Sequence, residues 1–357
     1  MSSKKVLTKI ESSFRKTVQK DPKVKNAYLL IHSDKHDIHL KLAEGSTDGI
    51  QANPVQPNYM ASVGKLFTAT IIGKLYEEGK LKFNDSISEH LNAELIAGLH
   101  IYKGKDYTDQ IKIKDLLSQR SGLPDAFWPL LDKLLAEPDF NISPEEAIIW
   151  SKENMEPSFE PGKKFEYTDT NYYLLGLIIE EITGEPFAEA LNNYFFEPLE
   201  MKNSHMLGYS KPAKEPEYPM ANFYKDGIKF NDFKNYSRID YAGGGVVAPM
   251  EDLLKFMKAL VNNQLINAET LEIMKEDTSK FGMGIDYGYG IWKIKTIPVF
   301  MPKKLNSWGV VGVTGAFMFY HPLTDSYIIG NFNDASYESK GVRFMLLKVL
   351  KELAKLK

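Results

Sequence analysis

Ser62-Val63-Gly64-Lys65 opens the run Leu66-Phe67-Thr68-Ala69-Thr70-Ile71-Ile72-Gly73-Lys74-Leu75, and the reading of this stretch decides the fold. Leu66, Phe67, Ile71, Ile72 and Leu75 recur at helical spacing. The spacing predicts a buried helix with Ser62 near its start and a stop near Gly79. Residues three apart on a helix share a face, so the Lys65 amine can lie beside the Ser62 hydroxyl. A serine hydroxyl is a weak nucleophile that needs a neighbouring base. A lysine whose pKa is lowered by burial is one such base. The helix N-terminus also favours negative charge developing there. Ser-x-x-Lys recurs by chance in surface helices, so its meaning depends on what the rest of the chain supplies.

The composition narrows the classes. At 357 residues the chain can bury a sizeable core as one large domain or two closely joined ones. A net charge of -3 gives no basic field for nucleic acid, and lysines interleaved with acids read as a solvated surface. With no cysteine, disulfides, thiolate catalysis and cysteine-based zinc sites are excluded. The N-terminus is basic and polar (Lys4, Lys5, Lys9, Arg15, Lys16) with no apolar run behind it, so it is not read as a signal peptide. No stretch approaches the roughly 20 apolar residues that span a bilayer. As written, the chain reads as cytoplasmic; an exported form already trimmed of its signal would look the same.

Strand patterns lie near both ends and helical ones fill the middle. Residues 4–20 have amphipathic spacing through Val6, Ile10, Phe14 and Val18. Ala27–His32 and Ile38–Ala43 read as strands of a hairpin around Ser33-Asp34-Lys35-His36-Asp37. Ile113–Gln119 is a short helix, and Ser143-Pro144-Glu145-Glu146 is a capping box opening another. The apolar helix Tyr172–Thr183 ends at Gly184. Beyond a tight segment at Gly243-Gly244-Gly245, Met250–Val261 reads as an amphipathic helix, and Tyr289–Ile294, Gly315–Tyr320 and Tyr327–Phe332 as strands. A last helix lays Phe344, Leu347, Leu350 and Leu353 along its apolar side. The expected fold is α/β (α+β): an antiparallel sheet built from both chain termini and flanked by helices, with an inserted, mostly helical subdomain. Residues 1–85 and 240–357 form the sheet domain, residues 86–239 the insert, and the active site lies between them.

Three constellations could carry chemistry. Tyr167-Thr168-Asp169 precedes the apolar helix, where a phenol depressed by the Lys65 cation could shuttle protons; Asp169 or Thr170 could instead simply cap that helix. Gly309-Val310-Val311-Gly312-Val313-Thr314-Gly315 lets backbone approach a ligand closely, so a strand N–H could face an oxyanion; an ordinary turn is the other reading. His32, His36 and His39 cluster at the first hairpin with uneven facing and no ordered acidic partners, so no metal site is expected there. No Gly-x-Ser-x-Gly elbow, His-Glu-x-x-His helix or phosphate-binding loop is present, and no cofactor is expected.

Together these segments resemble the penicillin-recognising serine hydrolases, in the branch of class C-type β-lactamases, D-Ala-D-Ala carboxypeptidases and related esterases. The resemblance runs from about Ala52 to Asn333. Met60-Ala61-Ser62-Val63-Gly64-Lys65 resembles the first motif, and Leu116–Pro124 the LLSHTSGLP segment, with Gln119 in place of histidine. Pro161–Tyr167 and the helix after it resemble PGxxFxYSNxxYxLLG. Pro198-Leu199-Glu200-Met201, Ala242-Gly243-Gly244 with Asp252-Leu253, and Tyr289-Gly290-Ile291-Trp292 resemble the PLGM, AGGxxSTxxDL and YGYGW segments. The resemblance implies Ser62 as the acylated nucleophile and shared proton handling by Lys65 and Tyr167. It implies an oxyanion hole from the N–H groups of Ser62 and Val313, and substrate contacts from Asp169, Gln119, Val311 and Gly312.

Two departures bear on the substrate. Asp169 replaces asparagine; a carboxylate only accepts, so it cannot donate to a substrate carbonyl, though it can pair with Lys65. The third motif, Lys-Thr-Gly or His-Thr-Gly in the family, reads Val310-Val311-Gly312. An alternative register makes Val313-Thr314-Gly315 the motif and moves the oxyanion N–H to Ala316. In either register the cation is gone, so a substrate carboxylate would lie there unpaired. The expected partner is therefore a small-molecule ester or amide lacking a free carboxylate at this point. β-Lactamase or D-Ala-D-Ala carboxypeptidase activity is the alternative, and a non-catalytic binding relative a further one. The pocket walls are expected from loops around Ala126–Asp139 and Met206–Asn235, and oligomeric state is not readable.

Overall fold

Strands from both ends of the chain join in one antiparallel sheet of nine strands. The structure is a computed structural model and describes residues 2–297 and 302–356. The early strands are β1 (Asn26–Ser33), β2 (Ile38–Thr47) and β3 (Ile50–Gln51). The late ones are β4 (Ser279–Gly282), β5 (Ile285–Tyr287), β6 (Trp292–Ile294), β7 (Ser307–Gly312), β8 (Ala316–His321) and β9 (Ser326–Asn331). The spatial order is β4-β5-β6-β7-β8-β9-β1-β2-β3. The seam between the two halves is the β1–β9 pairing, with Leu30 opposite Ile329. β1 is buried along nearly its whole length, as a strand covered on both faces must be.

Helix α1 (Ser3–Lys20) buries Val6, Ile10, Phe14 and Val18, the stripe its spacing predicts. Phe14 meets Phe332 at the end of β9 and Phe344 of the C-terminal helix, ring centroids 6.2 and 6.3 Å apart. That last helix departs from expectation at Leu347, which is 47% exposed. Residues Met345–Leu350 form a π-helical segment. Its wider turn shifts the helical phase, so Met345 and Val349 take the buried places while Leu347 turns outward.

Three further helices position the site. Helix α2 (Gly64–Glu77) is buried almost throughout. Helix α3 (Thr170–Thr183) begins two residues before the predicted start and ends on Gly184, whose φ of 72° is the left-handed C-cap. Helix α4 (Met250–Val261) packs on α2 through stacked Phe67 and Phe256 rings, 3.7 Å apart. In the middle of the chain the expected capping box forms: Ser143 Oγ accepts the Glu146 N–H and the Glu146 carboxylate accepts the Ser143 N–H.

β3, β4, β5 and β7 are additions to the sequence reading. β7 is buried at all six positions, so it carries no polar–apolar alternation, and its two glycines read as turn signals. The strand expected over Tyr289–Ile294 shrinks to Trp292–Ile294, because Gly290 takes φ +66° and its N–H turns to the Leu117 carbonyl.

Truncating Phe14 should show how tightly α1 is docked. Phe14→Ala is expected to cost ~3–5 kcal/mol, the usual range for a buried phenylalanine, measured as the change in urea unfolding free energy. A cost under ~1 kcal/mol would mean that α1 adds little to the core.

Candidate active site

Ser62 sits in a 3-10 turn (Ala61–Val63) that feeds directly into α2. The residue before it, Ala61, is held at φ +49°. Two other non-glycine residues around the site share this left-handed conformation, Gln119 at +60° and Tyr241 at +38°. Such backbone costs energy and persists only where the surroundings impose it.

One helical turn brings Lys65 Nζ to 3.1 Å from Ser62 Oγ. The ammonium is fully buried, so all three of its N–H bonds must be met. They go to Ser62 Oγ, to the Gly243 carbonyl at 2.7 Å, and to Asp169 Oδ1 in a short ion pair. The Gly243 carbonyl reaches Lys65 because backbone lies against backbone at the start of α2. A Cβ on Gly64 would stand 1.8 Å from the Gly244 carbonyl oxygen. Thr68 Oγ1 ties the same segment to α2 by donating to the Ala242 carbonyl at 2.7 Å.

The segment carrying Tyr167 and Asp169 is pinned by the loop Leu116–Asp125. Gln119 Oε1 accepts the Thr168 N–H at 3.0 Å and Asn171 Nδ2 at 2.6 Å. Thr168 and Thr170 hydroxyls both donate to the Pro124 carbonyl. The Asp125 carboxylate accepts the Asp169 N–H at 3.0 Å. Asp169 makes no side-chain cap to α3; its carboxylate is turned to Lys65 instead.

Tyr167 faces Lys65, with Nζ 5.1 Å from the ring centroid. The expected depression of its phenol does not occur. Burial, and next the Asp169 carboxylate, push the phenol well above its ordinary value, while a hydrogen bond with Ser62 works weakly the other way. The lysine was expected to be the phenol's counter-charge, and Asp169 has taken it.

Ser62, Tyr167, Asp169, Val311, Gly312 and Val313 all line one cavity of about 260 Å³. Gln119 is the exception among the expected substrate contacts: fully buried, it lies behind the cavity wall and orders Thr168 and Asn171. Its hydrogen bonds with Thr168 and Asn171 hold the amide inward, which a list of motif positions does not reveal. Val313 is the first residue past β7, so its N–H falls outside the sheet ladder and is free to point at a ligand. Ala316, which the alternative register would use, pairs with Gly312 in β8 and is not among the cavity walls.

Sequence reasoning missed Asp125, Asp240 and much of the aromatic wall. Asp125 follows the Leu116–Pro124 segment and precedes Phe127-Trp128, a carboxylate beside two large rings; that was the available signal. Residues expected as a loop after Ala126 form a helix, Phe127–Ala136. Asp240 is 4% exposed, accepts from the Tyr59 hydroxyl and the Gly245 N–H, and is pushed up to about 7 by burial. A Cβ on Gly244 would strike its carboxylate at 1.9 Å, so this carboxyl and the glycine run are fitted to each other. The first hairpin brings His32 and His39 Nδ1 atoms within 3.0 Å, with Asp34 and Glu251 on the far nitrogens; among the described residues no group is arranged to hold a metal ion.

The Beta-lactamase family model matches residues 14–349. The chain belongs to the beta-lactamase family. Putative penicillin-binding protein PbpX of Bacillus subtilis (strain 168) is 28% identical over 295 residues, 81% of this chain and 68% of that one. Protein flp of Staphylococcus aureus (strain MW2) is 31% identical over 165 residues, 43% of this chain and 29% of that one. Among solved structures, the D-amino acid amidase from Ochrobactrum anthropi SV3 complexed with D-phenylalanine superposes with a TM-score of 0.79 at 21% identity, covering 99% of this chain and 100% of that one. EstCE1, described as a hydrolase with promiscuous acyltransferase activity, gives 0.79 at 18% identity, covering 98% of each. These likenesses establish the β-lactamase/transpeptidase-like fold. Among the described residues no helix is long and apolar enough to cross a membrane.

The raised Asp240 carboxyl has a pH consequence. The folded state holds this proton more tightly than the unfolded chain, whose carboxyl titrates near about 3.9. Its contribution to stability is therefore fully present below about pH 3.9 and is lost as the pH rises through about 7. Asp240→Asn should remove a penalty of order 2–4 kcal/mol at pH 8 and change little at pH 4. Urea melts at both values check this; equal effects at the two would count against it.

Proposed function

We propose that this protein is a serine hydrolase that works through an acyl-enzyme on Ser62. The observation that carries the reading is Ser62 Oγ opening on the cavity with Lys65 Nζ 3.1 Å behind it and Tyr167 beside it. Ser62 Oγ attacks a carbonyl carbon, and its proton moves to the Tyr167 phenol oxygen as the phenol's own proton passes to the leaving group and the carbonyl–heteroatom bond breaks, while the Lys65 ammonium holds Ser62 Oγ in place. The N–H groups of Ser62 and Val313 receive the oxyanion. Water then attacks the acyl ester, its proton returning through the same phenol to Ser62.

The substrate class follows from charge. Val310 and Val311 stand where the family has a cation and a hydroxyl, and neither can hold a carboxylate. The cavity walls include Asp125, Asp169, Asp240 and Glu338 and, among the described residues, no lysine or arginine. An anionic substrate would be repelled and unpaired there. Esters and amides without a free carboxylate at this point fit, those of amino acids or short peptides included. Ordinary penicillins and peptides ending in free D-Ala do not. Neighbours described as an amidase and a hydrolase accord with this reading, and the intact Ser62, Lys65 and Tyr167 set it above a binding-only role.

A fluorophosphonate probe followed by intact-mass measurement tests it. The wild-type protein should gain one adduct, mapped to Ser62, and Ser62→Ala none; ester turnover should fall at least about ten-thousandfold in that variant. Labelling that survives Ser62→Ala overturns the assignment. Burial raises the Tyr167 phenol most and the Asp169 carboxylate next, so Asp169→Asn should remove the second of these causes. The alkaline limb of its kcat/KM profile should then move to lower pH than in the wild type, whereas an unmoved limb would dissociate Tyr167 from the profile.

A further inference from the structure

Four carboxyl groups face the cavity, and they differ in their surroundings. Asp169 is paired with Lys65. Asp240 is buried under the Tyr59 hydroxyl and the Gly245 N–H. Glu338 stands exposed at the start of the helix Glu338–Phe344, at the edge of the cavity, and what burial it has raises its carboxyl. Asp125 is different. Its Oδ1 accepts two backbone N–H groups, from Asp169 at 3.0 Å and Phe127 at 3.3 Å. Its Oδ2 receives no hydrogen bond among the described residues.

The nearest cation cannot serve Asp125, since all three Lys65 N–H bonds are spent on other acceptors. The walls beside it are aromatic. Phe127 stands edge-on to Trp128 at 5.1 Å and to Tyr236 at 6.4 Å, and all three line the same cavity. A carboxylate with a free oxygen, next to ring faces and inside a partly closed cavity, is a receptor for a cation: the carboxylate supplies charge and the rings supply their negative faces. The missing cation of the third motif points the same way, because the strand wall Val311-Gly312-Val313 no longer holds positive charge that would repel one.

We propose that this cavity selects esters and amides carrying an ammonium group near the scissile carbonyl, bound by the Asp125 carboxylate against the rings of Phe127, Trp128 and Tyr236. The proposal rests on Ser62 as the acylated residue and names the charge of the substrate that reaches it. The groups facing Asp125 are Asp169 and Lys65, with the phenols of Tyr167 and Tyr173. Burial, and next the Asp169 carboxylate, push the Asp125 carboxyl up to about 7. A bound cation would offset both, so binding and ionisation reinforce each other.

The test uses two esters of one shape: the 4-nitrophenyl esters of trimethylglycine and of 3,3-dimethylbutanoic acid, which differ in a quaternary nitrogen against a quaternary carbon. Each kcat/KM is divided by the rate constant for hydroxide attack on the same ester, which removes the intrinsic effect of the charge. The wild-type enzyme at pH 8 should prefer the cation by about tenfold or more, a conservative figure for a desolvated carboxylate aided by ring faces. The preference should fall as the pH is lowered from 8 to 5, because only the protein group titrates. In Asp125→Asn it should collapse towards unity, and Asp125→Glu should restore part of it. A wild-type ratio near one overturns the proposal and needs no variant to fold; so does a preference that survives Asp125→Asn in a protein with a wild-type melting profile. Turnover without charge preference overturns this proposal alone. Absence of both turnover and Ser62 acylation overturns the hydrolase reading and this proposal with it.

Discussion

A buried ammonium that must find three acceptors governs this molecule. Removing the Lys65 charge from water costs several kcal/mol, recovered only if each N–H is met at good geometry. The three acceptors come from three separate stretches of chain: Ser62 at the head of α2, Gly243 in the glycine run, and Asp169 at the head of α3. Satisfying one side chain therefore sets the relative placement of three elements. Gly64 belongs to the same constraint, since a side chain there would part the backbones that Lys65 bridges, while one on Gly244 would strike the Asp240 carboxylate.

The same arrangement redistributes charge. Asparagine in place of Asp169 would leave the ammonium with formal positive charge to project into the cavity. The carboxylate cancels it, raises the Tyr167 phenol and adds to the disfavour felt by Asp125. With valines on the strand wall, the cavity is lined by four carboxyl groups and, among the described residues, by no lysine or arginine. One substitution at the head of α3 and the loss of one cation on β7 act in the same direction.

Elements with strong periodicity were legible in the sequence. α1, β1, β2, α2, α3 and α4 follow from apolar spacing and caps, and the joining of both ends in one sheet follows from where the strand patterns lie. Ser62, Lys65, Tyr167 and Asp169 were legible as motifs, and the fold brings them together. What stayed hidden has physical causes. β7 is buried on both faces and glycine-bearing, so it lacks alternation. Leu347 is turned out by a π-helical phase shift that no spacing encodes. Gln119 keeps its motif position yet points into the wall, because orientation is set by Thr168 and Asn171 rather than by residue type. The left-handed backbone of Ala61 and Tyr241 falls on residues with no preference for it, and the Gly243 carbonyl acts through main chain, which every residue shares.

The seam between β1 and β9 has a consequence for how the chain comes to be made. Tyr28 pairs with Asn331, partners some three hundred residues apart in sequence. On the ribosome, β1 and β2 emerge first and must wait as an open, apolar-edged hairpin until nearly the whole polypeptide has followed. The strand wall at Val311–Val313 arrives almost as late. A nascent chain thus holds Ser62 long before the cavity around it exists, and the cavity is complete only with the closing of the sheet. Folding of this topology is dominated by distant contacts and is correspondingly slow, so the waiting hairpin is where a chaperone would have the most to protect.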